Sequence, residues 1–210
     1  MSLTSKQYHH GDLKAAVLDR AAEIIATDGL EALSLRGIAR DLGVSHGAPN
    51  RHFRNKAELL ANLAANGWHK ITTATLEAAE AGAAQHPSAR LNAMGRGFLS
   101  WALQNPSLFQ TITHPDVGRH ADSALRAAQE DFRATIRQAI EAAQGAGRHP
   151  DVNRSALLLY TNAVAFGAAM LMANPQLSPM TDHMDLNSLI NTVIDMAVPV
   201  DSNGTTGHSS

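Results

Sequence analysis

The sequence predicts an all-α protein, and three observations carry this prediction. Apolar residues recur at helical spacing along most of the chain, alanine is abundant, and residues that cap or end helices separate the apolar runs. Alanine favours helices because it loses no side-chain entropy there. No alternating run of β-branched and aromatic residues is bounded by turns, so nothing in the chain predicts a strand.

The N-terminal part divides into short helices that are joined by tight turns. Ser34, Ser45 and Asn55 can each cap the start of a helix, while Gly29 and Gly43 can end the helices that precede them. Glu58, three residues after Asn55, completes a pattern typical of a capping box. The predicted helices cover residues 13–28, 35–42, 45–52 and 56–81.

The rest of the chain continues in the same way. Asp151 or Asn153 can cap a strongly apolar helix, and His114-Pro115 is predicted to be a loop. The tail 199–210 is polar and is predicted to be disordered. The predicted helices cover residues 88–103, a short stretch from Pro106, and residues 120–145, 156–173 and 186–197.

Composition and charge narrow the class of protein. With 44% hydrophobic and 17% charged residues among 210, the chain is expected to be globular. It has no cysteine, hence no disulfide framework or thiolate zinc site, and its N-terminus lacks the apolar core of a secretory signal, so a cytoplasmic location is expected. The stretch 156–173 is long enough to cross a membrane, but its polar residues favour a doubly buried helix in a soluble protein.

Charge is unevenly distributed along the chain. The formal net charge is −2, yet residues 34–56 carry five basic side chains and one acidic one, a local net charge of +4. Residues 61–210 carry nine basic and twelve acidic side chains, a net charge of −3. Positive charge is therefore concentrated in a segment where it could meet a phosphate backbone, although such a cluster can also be a solvated face.

The segment LSLRGIARDLGVSHGAPNRHFRNKAELL, residues 33–60, is the most specific motif. Two short helices joined by Gly43-Val44-Ser45 are typical of a helix-turn-helix. The order Asp28-Gly29, Leu35-x-x-Ile38-Ala39, Gly43-Val44-Ser45-x-Gly47 and His52-Phe53-x-x-Lys56-x-x-Leu59-Leu60 resembles the TetR/AcrR family of transcriptional regulators. The resemblance covers residues 8–66 closely. It implies a DNA-binding domain of three helices over residues 1–55 and a helical effector-binding and dimerisation domain over residues 56–198.

The resemblance also implies roles for particular residues. Arg36 and Lys56 would hold phosphates, while Arg51 and His52 would be backbone contacts or surface residues. The residues expected to face base edges or nearby phosphates are Ser45, His46, Gly47, Ala48 and Asn50. Asn50 departs from the tyrosine usual in the family, and it could pair with adenine or donate to a phosphate. Phe53 is expected to be core.

For the C-terminal part, the resemblance implies an effector pocket and a dimer interface. The stretch FLSWALQNPSLFQTI, residues 98–112, resembles a segment of TetR-like C-terminal domains. A homodimer is expected through helices near 153–173 and 186–197, because the first of these is apolar on all sides. Adaptable apolar side chains and one amide are the pocket candidates, and plain core is the alternative for them. They are Trp68, Met94, Phe98, Trp101, Phe109, Phe132, Ile136, Asn162 and Met170.

The predicted function is therefore a repressor that a small, largely apolar effector releases from a palindromic operator in double-stranded DNA. The alternative is an architectural DNA binder that responds to no ligand. The eleven histidines raise the possibility of an enzyme, but no HExxH, GxSxG or glycine-rich phosphate loop is present. No catalytic activity, metal or cofactor is expected.

Overall fold

The computed structural model describes residues 13–81, 86–173 and 185–197, and no strand occurs within these ranges. The predicted disordered tail 199–210 lies outside the described residues. The α-helices are α1 (Leu13–Asp28), α2 (Leu35–Asp41), α3 (Lys56–Ala81), α4 (Pro87–Gln104), α5 (Pro106–Thr113), α6 (Pro115–Arg119), α7 (Ser123–Gly145), α8 (Arg154–Met172) and α9 (Leu186–Ala197). Short 3-10 helices occupy Leu30–Ala32 and Pro49–Arg51. The all-α prediction is confirmed.

Several helix ends follow the predicted local chemistry. The Ser34 hydroxyl accepts a hydrogen bond of 3.1 Å from the Gly37 N–H, and the Asn153 side chain caps α8. Gly29 and Gly43 have φ values of +83° and +66°, a region that glycine enters without strain. These are the positions where the sequence predicted the chain to turn.

Two local predictions are wrong. His114-Pro115 is not a loop: the His114 Nδ1 accepts from the Asp116 N–H at 3.2 Å, and Pro115 then begins α6. The third helix predicted over residues 45–52 is only a 3-10 helix at Pro49–Arg51, preceded by turns. Pro49 cannot donate a hydrogen bond to the carbonyl of Ser45 and its ring crowds that carbonyl, so a regular α-helix from Ser45 is interrupted.

One compact unit, here called unit 1, contains the chain up to Gly67 together with Ser107–Arg126. Its core is built from α1, α2, the start of α3 and the short helices α5 and α6. Gly67 is closely covered, since a Cβ there would lie 2.5 Å from the Ile112 side chain. The unit therefore does not end at residue 55. The fully buried side chains of this unit include Val17, Ile38, Phe53, Leu59 and Phe109.

The other compact unit, unit 2, contains Trp68–Pro106 and the chain from Ala127 onward. Within it, α4 packs against α8 and α9. The buried guanidinium of Arg148 donates to the Ser88 carbonyl and to the Asn92 side chain, both at 3.1 Å, which ties the turn after α7 to the start of α4. Among the described residues, α8 is long and apolar enough to cross a membrane. Only 11% of its most apolar stretch is buried in the protomer, so the expectation of a doubly buried helix is wrong for a single copy of the chain.

Candidate nucleic-acid interface and effector site

An ion pair fixes the first two helices of unit 1 to each other. The Arg20 guanidinium on α1 donates to the Asp41 carboxylate at the end of α2, at 2.8 and 3.1 Å, and also to Glu23 at 2.8 Å. This hydrogen bonding to Arg20 holds the pKa of the Asp41 carboxyl below its usual value. Beneath the pair, Ile38 and Ala39 are completely buried. The two helices thus present a fixed scaffold to the residues that follow.

The turn after α2 orients the next segment. Gly43 adopts its left-handed conformation, and the Val44 N–H then donates to the Ala39 carbonyl at 3.0 Å. Residues 45–52, called the recognition segment below, continue from this point. Pro49 is buried and Phe53, just after the segment, is completely buried. These two rings anchor the inner side of the segment, and the expectation that Phe53 is core is confirmed.

The predicted DNA-contacting side chains lie on the outer side of the same region. Of the nine residues, Ala48 and Lys56 are half-buried, whereas the exposed ones are Arg36, Ser45, His46, Gly47, Asn50, Arg51 and His52. Arg36 and His46 border one shallow depression, so the structure brings α2 and the recognition segment together there. An interface of this kind needs exposed polar and cationic groups on a rigid base, and this surface has both.

Arg40 belongs to the same surface and was missed by the sequence reasoning. Its side chain is 78% exposed, and it borders the depression with Arg36 and His46. The sequence spacing could have indicated this position, because Arg40 follows Arg36 by four residues and such residues share one helix face. Arg40 therefore extends the row of positive charge along α2.

Lys56 is positioned by two features at the start of α3. Its Nζ donates to the Glu31 carbonyl at 3.4 Å, and the Asn55 side chain caps the helix by accepting from the Glu58 N–H at 2.9 Å. The predicted capping box is half formed, because the Glu58 carboxylate accepts from the Arg54 N–H at 2.7 Å instead of turning back to Asn55. The hydrogen bonds from the backbone N–H and from the side chain of Arg54 lower the pKa of the Glu58 carboxyl.

In unit 2, four aromatic rings form a packed cluster, called the aromatic cluster. Trp68 lies 5.2 Å from Phe132 between ring centroids, and Phe98 lies 4.9 Å from Phe166. Trp68, Phe98 and Phe132 are all buried. The indole N–H of Trp68 is buried too, and it has no hydrogen-bond partner among the residues that the structure describes. Phe166 was not among the predicted pocket residues, because an apolar helix such as α8 gives no sign of which side is inward.

The remaining pocket candidates are distributed differently. Met94, Trp101 and Ile136 are buried in unit 2. Phe109 is also completely buried, and it belongs to unit 1. Met170 does not line the interior of the protomer at all, since it is 58% exposed.

Asn162 is half-buried, and its amide nitrogen donates to the Leu158 carbonyl one turn earlier at 2.9 Å. This hydrogen bond lies within α8 and occupies one of the polar groups that sequence reasoning assigned to a ligand. Thr72 and Thr75 on α3 form the same type of side-chain-to-backbone hydrogen bond, since each hydroxyl donates to the carbonyl four residues earlier.

Exposed apolar side chains concentrate on α8 and α9. Leu159 is 71% exposed and Met196 is 75% exposed. The other large examples on these helices are Tyr160, Met170, Leu171 and Leu186. Large apolar side chains that stay exposed on two helices in contact with each other are typical of a surface that a partner covers. The two predicted dimer helices are therefore the ones that carry uncovered apolar side chains.

A helix-turn-helix with an exposed cationic surface, joined to a separate helical unit, defines a DNA-binding regulator. The family comparisons agree: residues 17–63 match the family described as bacterial regulatory proteins, tetR family, and residues 91–196 match the tetracyclin repressor-like C-terminal domain. The chain belongs to the TetR family of transcriptional regulators. Members of this family are soluble DNA-binding proteins, are generally not enzymes, and usually dimerise and bind small molecules.

Solved structures give the same fold. A protein of unknown function from Rhodococcus sp. RHA1 is 31% identical, with a TM-score of 0.76 over 92% of this chain and 97% of its own. A regulatory protein of the tetR family from Rhodococcus RHA1 is 21% identical, with a TM-score of 0.69 over 88% and 94%. The TetR family regulator PfmR from Thermus thermophilus is 19% identical, with a TM-score of 0.64 over 87% and 96%. No curated protein matches the chain.

Proposed function

We propose that this protein is a cytoplasmic transcriptional repressor that binds a palindromic operator as a homodimer and is released by a small-molecule effector. The observation that carries the proposal is the recognition segment, with Pro49 and Phe53 holding its inner side in the core while its polar side chains face solvent. In this proposal residues 1–55, together with Lys56 at the start of the second domain, bind DNA, and the domain 56–198 binds the effector and forms the dimer.

The proposed DNA contacts are of two kinds, contacts to phosphates and contacts to bases. Arg36, Arg40 and Lys56 neutralise phosphates, and the charge of +4 over residues 34–56 attracts the duplex. Asn50 and His46 lie in the recognition segment and reach base edges, where an Asn side chain can pair with adenine through two hydrogen bonds. Ala48 is small enough to let the segment approach a thymine methyl closely.

Dimerisation is supported by the uncovered apolar side chains of α8 and α9. Leu159 and Met196 would cost free energy if they stayed in water, at about 25 cal/mol for each Å² of apolar surface. A second copy covers them when the same two helices of each protomer meet about a two-fold axis. Such a dimer presents two recognition segments, which suits a palindrome with half-sites about one helical turn apart.

The effector is proposed to act at the aromatic cluster in unit 2. Burying the Trp68 N–H without a partner costs roughly 1–3 kcal/mol, and a ligand that offers an acceptor would recover part of that cost. α3 carries both Lys56 and Trp68, so a shift of this helix connects the effector with the DNA contact. The dimer would have two conformations, one that binds DNA and one whose recognition segments are wrongly spaced for the operator. To release DNA, the effector must bind the second conformation more tightly than the first.

The test of DNA binding uses the full chain and a pool of random duplexes. We expect selection of a palindrome, a dimer in sedimentation, and an affinity that falls steeply with salt because each phosphate contact releases counterions. Binding to many unrelated sequences with equal affinity would instead favour the architectural alternative. A chain that stays monomeric and binds no duplex at low salt would refute the proposal.

The effector site is tested with Trp68→Phe and, as a matched control, Trp101→Phe. Trp68→Phe removes the unpartnered N–H but keeps a ring in the cluster, so the variant is expected to be as stable as the unaltered chain or slightly more so. Fluorescence from the remaining tryptophan follows effector binding, and the effector is expected to bind more weakly to Trp68→Phe than to Trp101→Phe. Equal binding to both variants would remove Trp68 from the effector site.

A further inference from the structure

A recess with a volume of about 380 Å³ opens on unit 2. It lies among the second half of α3, the first turns of α4 and the middle of α7. Its size is within the range of small-ligand sites. The residues that matter for its chemistry are the apolar Leu76, Met94 and Ala139 and the polar Arg90, Thr135 and Gln138.

The recess carries one cationic side chain, Arg90. The Arg90 guanidinium is exposed and forms no hydrogen bond or ion pair with any residue of the described ranges. Two carboxylates on the neighbouring α7 are paired with other cations, since Glu130 is held by Arg133 at 3.2 Å and Glu141 by Arg154 at 3.1 Å. A free guanidinium next to apolar side chains matches a ligand that carries one anionic group on an apolar body.

Residues of the recess and of the aromatic cluster lie on the same helices, α3, α4 and α7. Arg90, Met94 and Phe98 follow one another at four-residue spacing on α4, so they form one row on the helix surface. Met94 lines the recess and is only 2% exposed, and Phe98 belongs to the cluster. On α3, Leu76 lines the recess and Trp68 lies two turns earlier. Met94 has a flexible side chain and lies between Arg90 and Phe98 in this row. A ligand in the recess would therefore contact Met94, and a change in the Met94 rotamer would alter the packing of the cluster.

We propose that this recess binds aliphatic monocarboxylates, with the carboxylate on Arg90 and the alkyl chain against Leu76, Met94 and Ala139. The proposal rests on the effector role of unit 2 and names the chemical class of the effector. The planar guanidinium donates two parallel hydrogen bonds, one to each carboxylate oxygen. Gln138 can donate to the same group from α7. No aromatic side chain lines the recess, which favours an aliphatic body over a flat ring.

The test compares octanoate with octanamide, which have the same alkyl chain but differ in charge, by calorimetry on the full-length chain. We expect octanoate to bind about tenfold more tightly than octanamide, because a charge-assisted pair is replaced by a neutral contact. Arg90→Gln should abolish this preference and leave octanamide binding unchanged. Arg133→Gln, on α7, serves as the matched control and should preserve the preference.

Ala139→Phe fills the recess and is expected to abolish binding of both compounds while the variant stays folded, since Ala139 is only half-buried. The proposal is overturned if Arg90→Gln keeps the preference for octanoate, or if the unaltered chain binds neither compound. Operator release is measured separately. Binding of octanoate without release of DNA would confirm the site and refute its effector role, whereas failure of DNA binding in the absence of any ligand would refute the proposed function itself.

Discussion

Unit 1 and unit 2 both have buried apolar interiors, but they expose different kinds of side chain at their surfaces. Unit 1 exposes cationic and polar side chains such as Arg36, Arg40 and Asn50 around a recognition segment that the core holds in place. Unit 2 exposes Leu159 and Met196. The first surface suits a polyanion, and the second suits another apolar surface. The two units are therefore expected to bind different partners. Substitutions in each unit can test DNA binding and dimerisation separately.

The largest effect is expected from Leu159→Arg. A charge on the apolar surface of α8 should yield monomers in sedimentation, because pairing two copies would bury an uncompensated cation. Operator affinity should then fall roughly a hundredfold or more, since the second half-site is no longer bound within one assembly. The control is Ala127→Arg, which adds the same charge at an exposed position of α7. A dimer that survives Leu159→Arg with full affinity would place the interface elsewhere.

Gly97→Ala tests the close packing of unit 2. A Cβ at Gly97 would lie 2.7 Å from the Ala74 carbonyl oxygen on α3, and a backbone atom cannot move aside easily. We expect the free energy of unfolding to drop by about 1–3 kcal/mol, as measured by urea denaturation. At Gly145, the last residue of α7, a Cβ meets nothing within 4 Å, so Gly145→Ala should be close to neutral. Equal stability of the two variants would contradict tight packing of α4 on α3.

Asn50→Ala and Lys56→Ala separate the two kinds of contact in unit 1. Lys56→Ala should weaken binding to all duplexes similarly and lower the salt dependence. Asn50→Ala should change the preference among bases, by roughly 1–3 kcal/mol if the side chain makes a bidentate contact. Fluorescence anisotropy with single-base operator variants distinguishes these outcomes. A uniform loss for Asn50→Ala would make Asn50 a phosphate contact and remove the adenine contact.

The sequence predicted unit 1 more completely than unit 2, and the reason is physical. Caps and turns are local: Ser34 and Gly43 act within a few residues of themselves, and both behave as predicted. The interrupted helix at Pro49 was predictable by the same local rule, because proline lacks the amide hydrogen that a helix interior needs. His114 was harder to foresee as a cap, since Ser, Thr, Asp and Asn are the usual choices.

Neighbours in unit 2 are set by packing over long sequence distances, which helical periodicity does not encode. The spacing of Phe109 correctly indicated a buried side chain, but not the unit to which that side chain belongs. Met170 illustrates a second limit: α8 is apolar all round, so the pattern does not indicate which side faces the core. The sequence also could not predict the recess beside Arg90, because the recess forms only where the fold brings α3, α4 and α7 together.

The smallest expected effect concerns the Arg20–Asp41 pair, whose influence on stability should depend on pH. The pKa of the folded Asp41 carboxyl is lowered, mainly by its hydrogen bond to Arg20, so the folded chain binds fewer protons than the unfolded chain would. Its contribution is therefore present above the unfolded pKa and is lost as the pH falls through the folded one. Asp41→Asn should reduce stability at neutral pH, and the difference should vanish at acidic pH and shrink in high salt. Urea midpoints at each pH check this, with Asp19→Asn, an exposed carboxylate on α1 that forms no ion pair with a described residue, as the control. A stability difference that stays constant down to acidic pH would mean that the substituted amide disturbs packing and that the ion pair contributes nothing.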